Sequence, residues 1–221
     1  MFDRIARVYD PMNRVMTGGL DARWRERAAD LAHVGDGDRA LDVATGTGDL
    51  ALALSKRAGP GGEVVGLDFS PEMLALARRK PAPGGPVRFE QGDALALPYP
   101  DDAFNAATVA FGARNFADLD RGLAEMVRVT RPGGRVVVLE ITTPRPPLSW
   151  FFSLWFDRLV PLLGRFAGDP DAYAYLPSSV RRFPPPEGLG AALARAGLTD
   201  VRWILTAGGI IALHSGTVGA T

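Results

Sequence analysis

Three aspartates stand at or near the ends of successive apolar runs, and a glycine turn follows the first of them. Asp42 lies in "RALDVA" (39–44), Asp68 ends "VVGLD", and Asp93 sits in "QGDA". Between Asp42 and a helical pattern at 49–58, the segment "ATGTG" sets Gly46 and Gly48 around Thr47. A glycine turn between strand and helix lets backbone approach a ligand closely and presents unpaired N–H groups to it. With Ala51 at the third position of the dinucleotide fingerprint, this spacing permits a nicotinamide dinucleotide. Asp49 opposes that reading, because a carboxylate at the helix start would face the pyrophosphate. A nucleoside with a positive centre and no phosphate suits Asp42 and Asp49 better, and S-adenosylmethionine has those features. Asp68, about 20 residues past the turn, is spaced to accept ribose hydroxyls from either cofactor. Phe69 beside it belongs to the same cofactor set, and Asp93 with the Ala94 N–H would meet the adenine edge.

Such residues converge only if the apolar runs are neighbouring strands of one sheet. Short apolar runs alternate with helical patterns, the mark of an α/β fold with a largely parallel, doubly wound sheet. Strands are expected at 39–44, 62–69, 87–94, 104–112 and 135–141. Helices are expected at 49–58, from Pro71 to about Lys80 with Ser70 as N-cap, and at 118–130, closed by "RPGGR". After Ile141 the rhythm breaks into proline-rich and aromatic sequence, an insertion spanning about 142–186. It resumes with a helix near 187–197, Gly197 at its C-terminal stop, and two further strands, "DVRWILTAGG" and "GIIALHSG".

At 221 residues the chain suits one well-buried domain. Lys plus Arg and Asp plus Glu both number 25, so no net field favours nucleic acid. Cysteine is absent, which removes disulfides, thiolate zinc sites and cysteine nucleophiles. No paired histidines suggest a metal. The opening "MFDRIARVYDPMN" has no apolar run, so the expectation is no secretory signal and a cytoplasmic protein. The stretch "WFFSLWFDRLVPLLGRF" (150–166) is too short and too interrupted to span a bilayer. It could instead lie at a membrane interface, line a tunnel for an isoprenoid tail, or pack as a lid or dimer contact.

"LDVATGTGDLALAL", "VVGLDFSPEML", "FGARNFADLDRGLAEMVRVTRPGGRVVVLEI", "YLPSSVRRFPPPEGL" and "TAGGIIALHSG" together resemble the UbiE/MenG C-methyltransferases of quinone biosynthesis. The resemblance covers nearly the whole chain. It implies the class I methyltransferase fold, a Rossmann-like seven-stranded sheet with helices on both faces, with an N-terminal cap at about 1–35 and a lid at about 142–186. It implies S-adenosylmethionine bound at Thr47, Asp68, Asp93 and Ala94, with Ala110 at a position often occupied by Ser. Ala113 replaces a common Leu, and "TGGLD" (17–21) a more usual "SFGL", changes expected to reshape the substrate pocket. The implied acceptor is a prenylated hydroquinol, demethylmenaquinol or its benzoquinol counterpart. Another phenolic or polyketide acceptor and a dinucleotide oxidoreductase stand as alternatives.

Methylating a hydroquinol carbon requires a neighbouring hydroxyl to lose its proton. A phenol titrates near pH 10, so roughly one molecule in a thousand is ionised at neutral pH, a deficit of about 4 kcal/mol. A guanidinium alongside can lower such a pKa by roughly 1 to 3 units. Arg114 in "FGARN" is the candidate for that task, and Asn115 for orienting the hydroxyl or a water. Tyr9, Tyr173, Tyr175 and Arg181 are candidates for closing over the substrates. His33 and His214 are expected to be structural.

Overall fold

The computed structural model describes residue 14 and residues 16–144 and 177–220. Tyr9, Tyr173, Tyr175 and the aromatic run 150–166 lie outside the described residues. The elements are α1 (Leu20–Leu31), β1 (Arg39–Val43), α2 (Asp49–Ala58), β2 (Glu63–Asp68), α3 (Pro71–Ala77), β3 (Val87–Gln91) and β4 (Phe104–Ala110). They continue with a 3-10 turn (Ala113–Asn115), α4 (Leu119–Arg128), β5 (Thr130–Ile141), α5 (Pro186–Arg195), β6 (Leu198–Thr206) and β7 (Ile211–Val218). The seven strands form one sheet in the order β3-β2-β1-β4-β5-β7-β6. β1 to β5 run parallel to their neighbours among themselves, and β7 enters antiparallel between β5 and β6.

Both faces of the sheet are covered at β5, which explains the unbroken apolar strand "VVVL". Val136 and Val138 face a core shared with Leu123 and Met126 of α4 and Leu189 and Leu193 of α5. Val137 and Leu139 face the other core, with Ala28 and Ala29 of α1 and Leu50 and Leu54 of α2. A parallel strand buried on both sides carries no polar alternation.

The helix starts follow their sequence signals. Ser70 accepts the Met73 N–H with Pro71 behind it, and Asp118 accepts the Arg121 N–H at the start of α4. Some boundaries differ from expectation. "RPGGR" does not close a helix ahead of a new strand; it lies within β5, where the β4–β5 register shifts between Phe104 and Ala106. Gly133 turns through φ 77° there, so the two glycines are absorbed as an irregularity of the strand. α3 ends at Ala77 rather than near Lys80, and β3 stops at Gln91, leaving Asp93 on a loop.

Of the glycines in the turn, Gly48 has the heavier structural duty. It is the left-handed N-cap of α2 (φ 85°), and a Cβ there would sit 2.7 Å from the Phe89 ring. Gly46, at φ 57°, has open space where its Cβ would be. Gly48→Ala should therefore lower stability by about 2 kcal/mol or more, and Gly46→Ala by about 1 kcal/mol. Urea unfolding with equal slopes checks the ranking, and equal losses would refute it.

Candidate active site

The strand order reverses between β1 and β4, and the chains leaving their carboxyl ends diverge to open a crevice. A cavity of about 420 Å³ occupies it. Among its lining residues are Asp42, Ala44 and Thr45 from the end of β1, Gly46, Thr47 and Asp49 from the turn, and Asp68 and Phe69 from β2. Gly92, Asp93 and Ala94 follow β3, while Ala110, Phe111, Gly112, Asn115, Phe116 and Ala117 form the wall beyond β4.

The residues expected from the sequence therefore largely gather. Asp42, Gly46, Thr47, Asp68, Phe69, Asp93, Ala94, Ala110 and Asn115 all line this one cavity. Three described residues do not. Gly48 faces Phe89 instead, and Arg181 is exposed on a helical segment covering 177–182. His214, expected to be structural, is buried in β7. The His214 Nε2 pairs with the Pro186 carbonyl at 2.9 Å, its ring stacks on Trp203, and burial pushes its pKa down, so it packs as a neutral imidazole. Arg114 is the consequential correction. Its guanidinium is absent from the cavity lining and ion-paired with Glu140 at 2.7 Å, the two side chains being 7% and 1% exposed.

The electrostatics on the β1 side centre on Asp42. Its carboxylate is 1% exposed and accepts the Thr45 hydroxyl at 2.6 Å and the Thr108 hydroxyl at 2.9 Å. Burial pushes its pKa up to about 7, against the pull of those two hydroxyls and the charge of Arg25. Asp68 accepts the Gly46 N–H at 2.7 Å through one oxygen and the Ser70 N–H at 2.9 Å through the other. A carboxylate offers about four lone-pair positions, so ribose hydroxyls can still be accepted. Phe69, 76% exposed, offers a ring face at the cavity edge.

Sequence reasoning missed Arg25 and Lys80. Arg25 reaches the cavity from α1, held by Asp21 at 2.5 Å and lying 5.4 Å over the Phe111 ring. Lys80 donates to Thr47 Oγ1 at 3.0 Å and to Asp49 at 2.5 Å. Asp49 is thus compensated, and its repulsion of a phosphate is weaker than the sequence implied. The signal for Arg25 lay in "DARWRER", where Asp21 and Arg25 fall four residues apart on a helix.

On the β4 side the described wall is apolar apart from Asn115, whose Oδ1 is buried with no hydrogen-bond partner among the described residues. Buried acceptors of this kind are uncommon and call for a ligand or water donor. Space with carboxylates at one side and an apolar wall with a single acceptor at the other fits a cationic nucleoside next to a flat, hydroxylated ring.

The ubiE/COQ5 methyltransferase family model matches residues 1–218. A demethylmenaquinone methyltransferase of Thermus thermophilus is 54% identical over 98% of this chain and 99% of its own. The Deinococcus radiodurans protein of the same name is 50% identical, over 94% and 87%. The ubiquinone/menaquinone biosynthesis C-methyltransferase UbiE of Geobacter sulfurreducens is 42% identical, over 99% and 87%. Among solved structures, a methyltransferase of Thermotoga maritima superposes with a TM-score of 0.67 at 18% identity, covering 98% of this chain and 97% of that one. A second, from Aquifex aeolicus, gives 0.61 at 20% identity, over 88% and 89%. These likenesses support the class I fold that the strand order displays. The chain belongs to the ubiE/COQ5 methyltransferase family and is a methyltransferase whose donor is S-adenosyl-L-methionine.

Proposed function

We propose that this enzyme methylates a ring carbon of a prenylated hydroquinol, with demethylmenaquinol as acceptor and menaquinol as product. The observation that carries the reading is the wall of Ala110, Phe111, Phe116 and Ala117 around Asn115, whose buried Oδ1 has no partner among the described residues. Such a wall favours an aromatic ring, and its one acceptor favours a ring hydroxyl. The names of the relatives at 42–54% identity agree with it.

When bound, the donor supplies an electrophilic methyl on a sulfonium. The chain's own task is to bind, orient and exclude water. In this reading Asp68 takes the ribose hydroxyls, while Asp93 and the Ala94 N–H take the adenine edge beside Phe69. Gly46 and Thr47 shape the turn around the amino-acid end, and Asp42 provides negative charge beneath it. Asn115 Oδ1 accepts a hydrogen bond from one of the acceptor's two ring hydroxyls and so fixes the ring, leaving the other hydroxyl to lose its proton. Arg114, its charge already met by Glu140, acts on the acceptor through the backbone it holds rather than by touching a phenolate. The prenyl tail implies work at a membrane surface by a cytoplasmic protein. Among the described residues no helix is long and apolar enough to cross a membrane.

Donor binding should depend on pH through Asp42. A cationic donor favours the ionised carboxylate, and with a pKa of about 7 roughly a tenth is ionised at pH 6 and roughly three quarters at pH 7.5. Affinity should rise roughly eightfold over that range, below the pH at which the donor's own α-amino group discharges. Calorimetry on wild type and Asp42→Asn checks this: the variant's titration should be flat, and a flat wild type refutes the assignment. The raised pKa has the opposite sign for folding. The folded state retains a proton that an ordinary carboxyl loses near 3.8, so the free protein loses this stabilisation as pH rises through about 7.

The deciding experiment supplies S-adenosylmethionine and chemically reduced demethylmenaquinone and follows product by mass spectrometry. One added methyl on the ring carbon is expected. Donor binding without product would move the acceptor to another phenol or a polyketide. Asp68→Ala should weaken donor binding by about 1–3 kcal/mol, and unchanged affinity would overturn the ribose assignment.

A further inference from the structure

The wall beyond β4 begins with strained backbone. Phe111, a non-glycine residue, is held in the left-handed region at φ 58°, a strained conformation that persists only when its surroundings enforce it. Its N–H is bound by the Leu139 carbonyl at 2.8 Å, and its own carbonyl accepts Arg114 Nη1 at 2.5 Å. That same Nη1 donates to Glu140 Oε1 at 2.7 Å, and the Arg114 backbone N–H donates to Glu140 Oε2 at 3.2 Å. Glu140 also accepts the Ile141 N–H at 2.8 Å, which fixes the carboxylate to its own strand. One buried carboxylate on β5 therefore grips the segment after β4 at its backbone and, through a guanidinium, at Phe111.

Phe111 and Asn115 line the cavity, whereas Arg114 and Glu140 are not among its described lining residues. We infer that Glu140 is a positioning residue for methyl transfer, acting through Arg114 to hold the Phe111–Asn115 arch against the acceptor. A long-range pair is needed because the turn Ala113–Asn115 is a single 3-10 turn with little rigidity of its own. The Arg114 Nε is buried with no partner among the described residues, its guanidinium being oriented through Nη1 toward Glu140 and Phe111.

The kinetic consequence rests on the proposed hydroquinol reaction, so the test has two arms. The first is hydrogen exchange of the 111–116 amides, read by mass spectrometry in the donor-bound protein. Exchange should quicken in Glu140→Gln and in Arg114→Met, while the strand amides of β1 keep wild-type rates. Unchanged exchange over 111–116 overturns the inference whatever the acceptor is. The second arm is a double-mutant cycle on kcat with reduced demethylmenaquinone. Each single variant should lose about tenfold or more in kcat with donor Kd within about twofold, and the double variant should be no worse than the poorer single. Multiplying losses, or donor affinity falling in parallel with kcat, would show that Glu140 acts by another route. A wild-type protein that binds donor but makes no product fails the acceptor reading alone, and the exchange arm still decides the role of Glu140.

Discussion

The site depends on a carboxylate buried at the point where the sheet changes direction. Asp42 and Thr108 are register partners on the adjacent parallel strands β1 and β4, and the Thr108 hydroxyl reaches Asp42 across that seam. The Thr45 hydroxyl reaches it from the turn above. Removing a carboxylate from water is costly, and two neutral hydroxyls offset only part of that cost, which is why the group titrates near neutrality. The same bonds set the shape of the crevice. They anchor the turn to both strands just before Ala44 and Gly46 swing through left-handed conformations, so the chain leaves β1 at a fixed angle.

The facing wall meets the same demand by different means. Phe111 and Ala44 both turn left-handed at the ends of neighbouring strands, and a Cβ at Gly112 would approach the Ala44 methyl to 2.6 Å. The two arches are thus packed back to back beneath the cavity, and only glycine lets them close. What holds each arch is a carboxylate, Asp42 for the first and Glu140 for the second. Arg25 ties in the helix layer, its guanidinium lying over the Phe111 ring while Asp21 takes its charge. Wall, floor and α1 are coupled through contacts that a change at any one of them would disturb.

Much of this was legible in the chain because it is local. α2 spans Asp49–Ala58 as its apolar spacing and glycine start require, and Ser70–Pro71 starts α3 by rules that operate within four residues. The acids at the strand ends could be read as one site because parallel strands bring their carboxyl ends together. The relations across the fold were not legible. Lys80 meets Asp49 from 31 residues away, and Glu140 meets Arg114 from 26. A sequence carries no marker for which acid a given arginine will find, so Arg114 read as the candidate to stabilise the acceptor's phenolate. The glycine turn was ambiguous in the same way: Gly48 reads as a ligand contact, and only Phe89, 41 residues on, reveals a packing constraint.

The two buried carboxylates divide the work by the kind of partner each has. Glu140 is met by a full positive charge and two backbone N–H groups, so its interactions are committed inside the protein and maintain backbone geometry. Breaking such a pair leaves an uncompensated buried charge, which is why it suits a permanent structural link. Asp42 is met by dipoles, and Arg25, whose charge bears on it, is already ion-paired with Asp21. Its charge is incompletely answered within the protein, and a cationic ligand entering the cavity can complete it. Holding one acid satisfied and the other short of a counter-charge lets a single crevice be rigid on its acceptor side and responsive on its donor side.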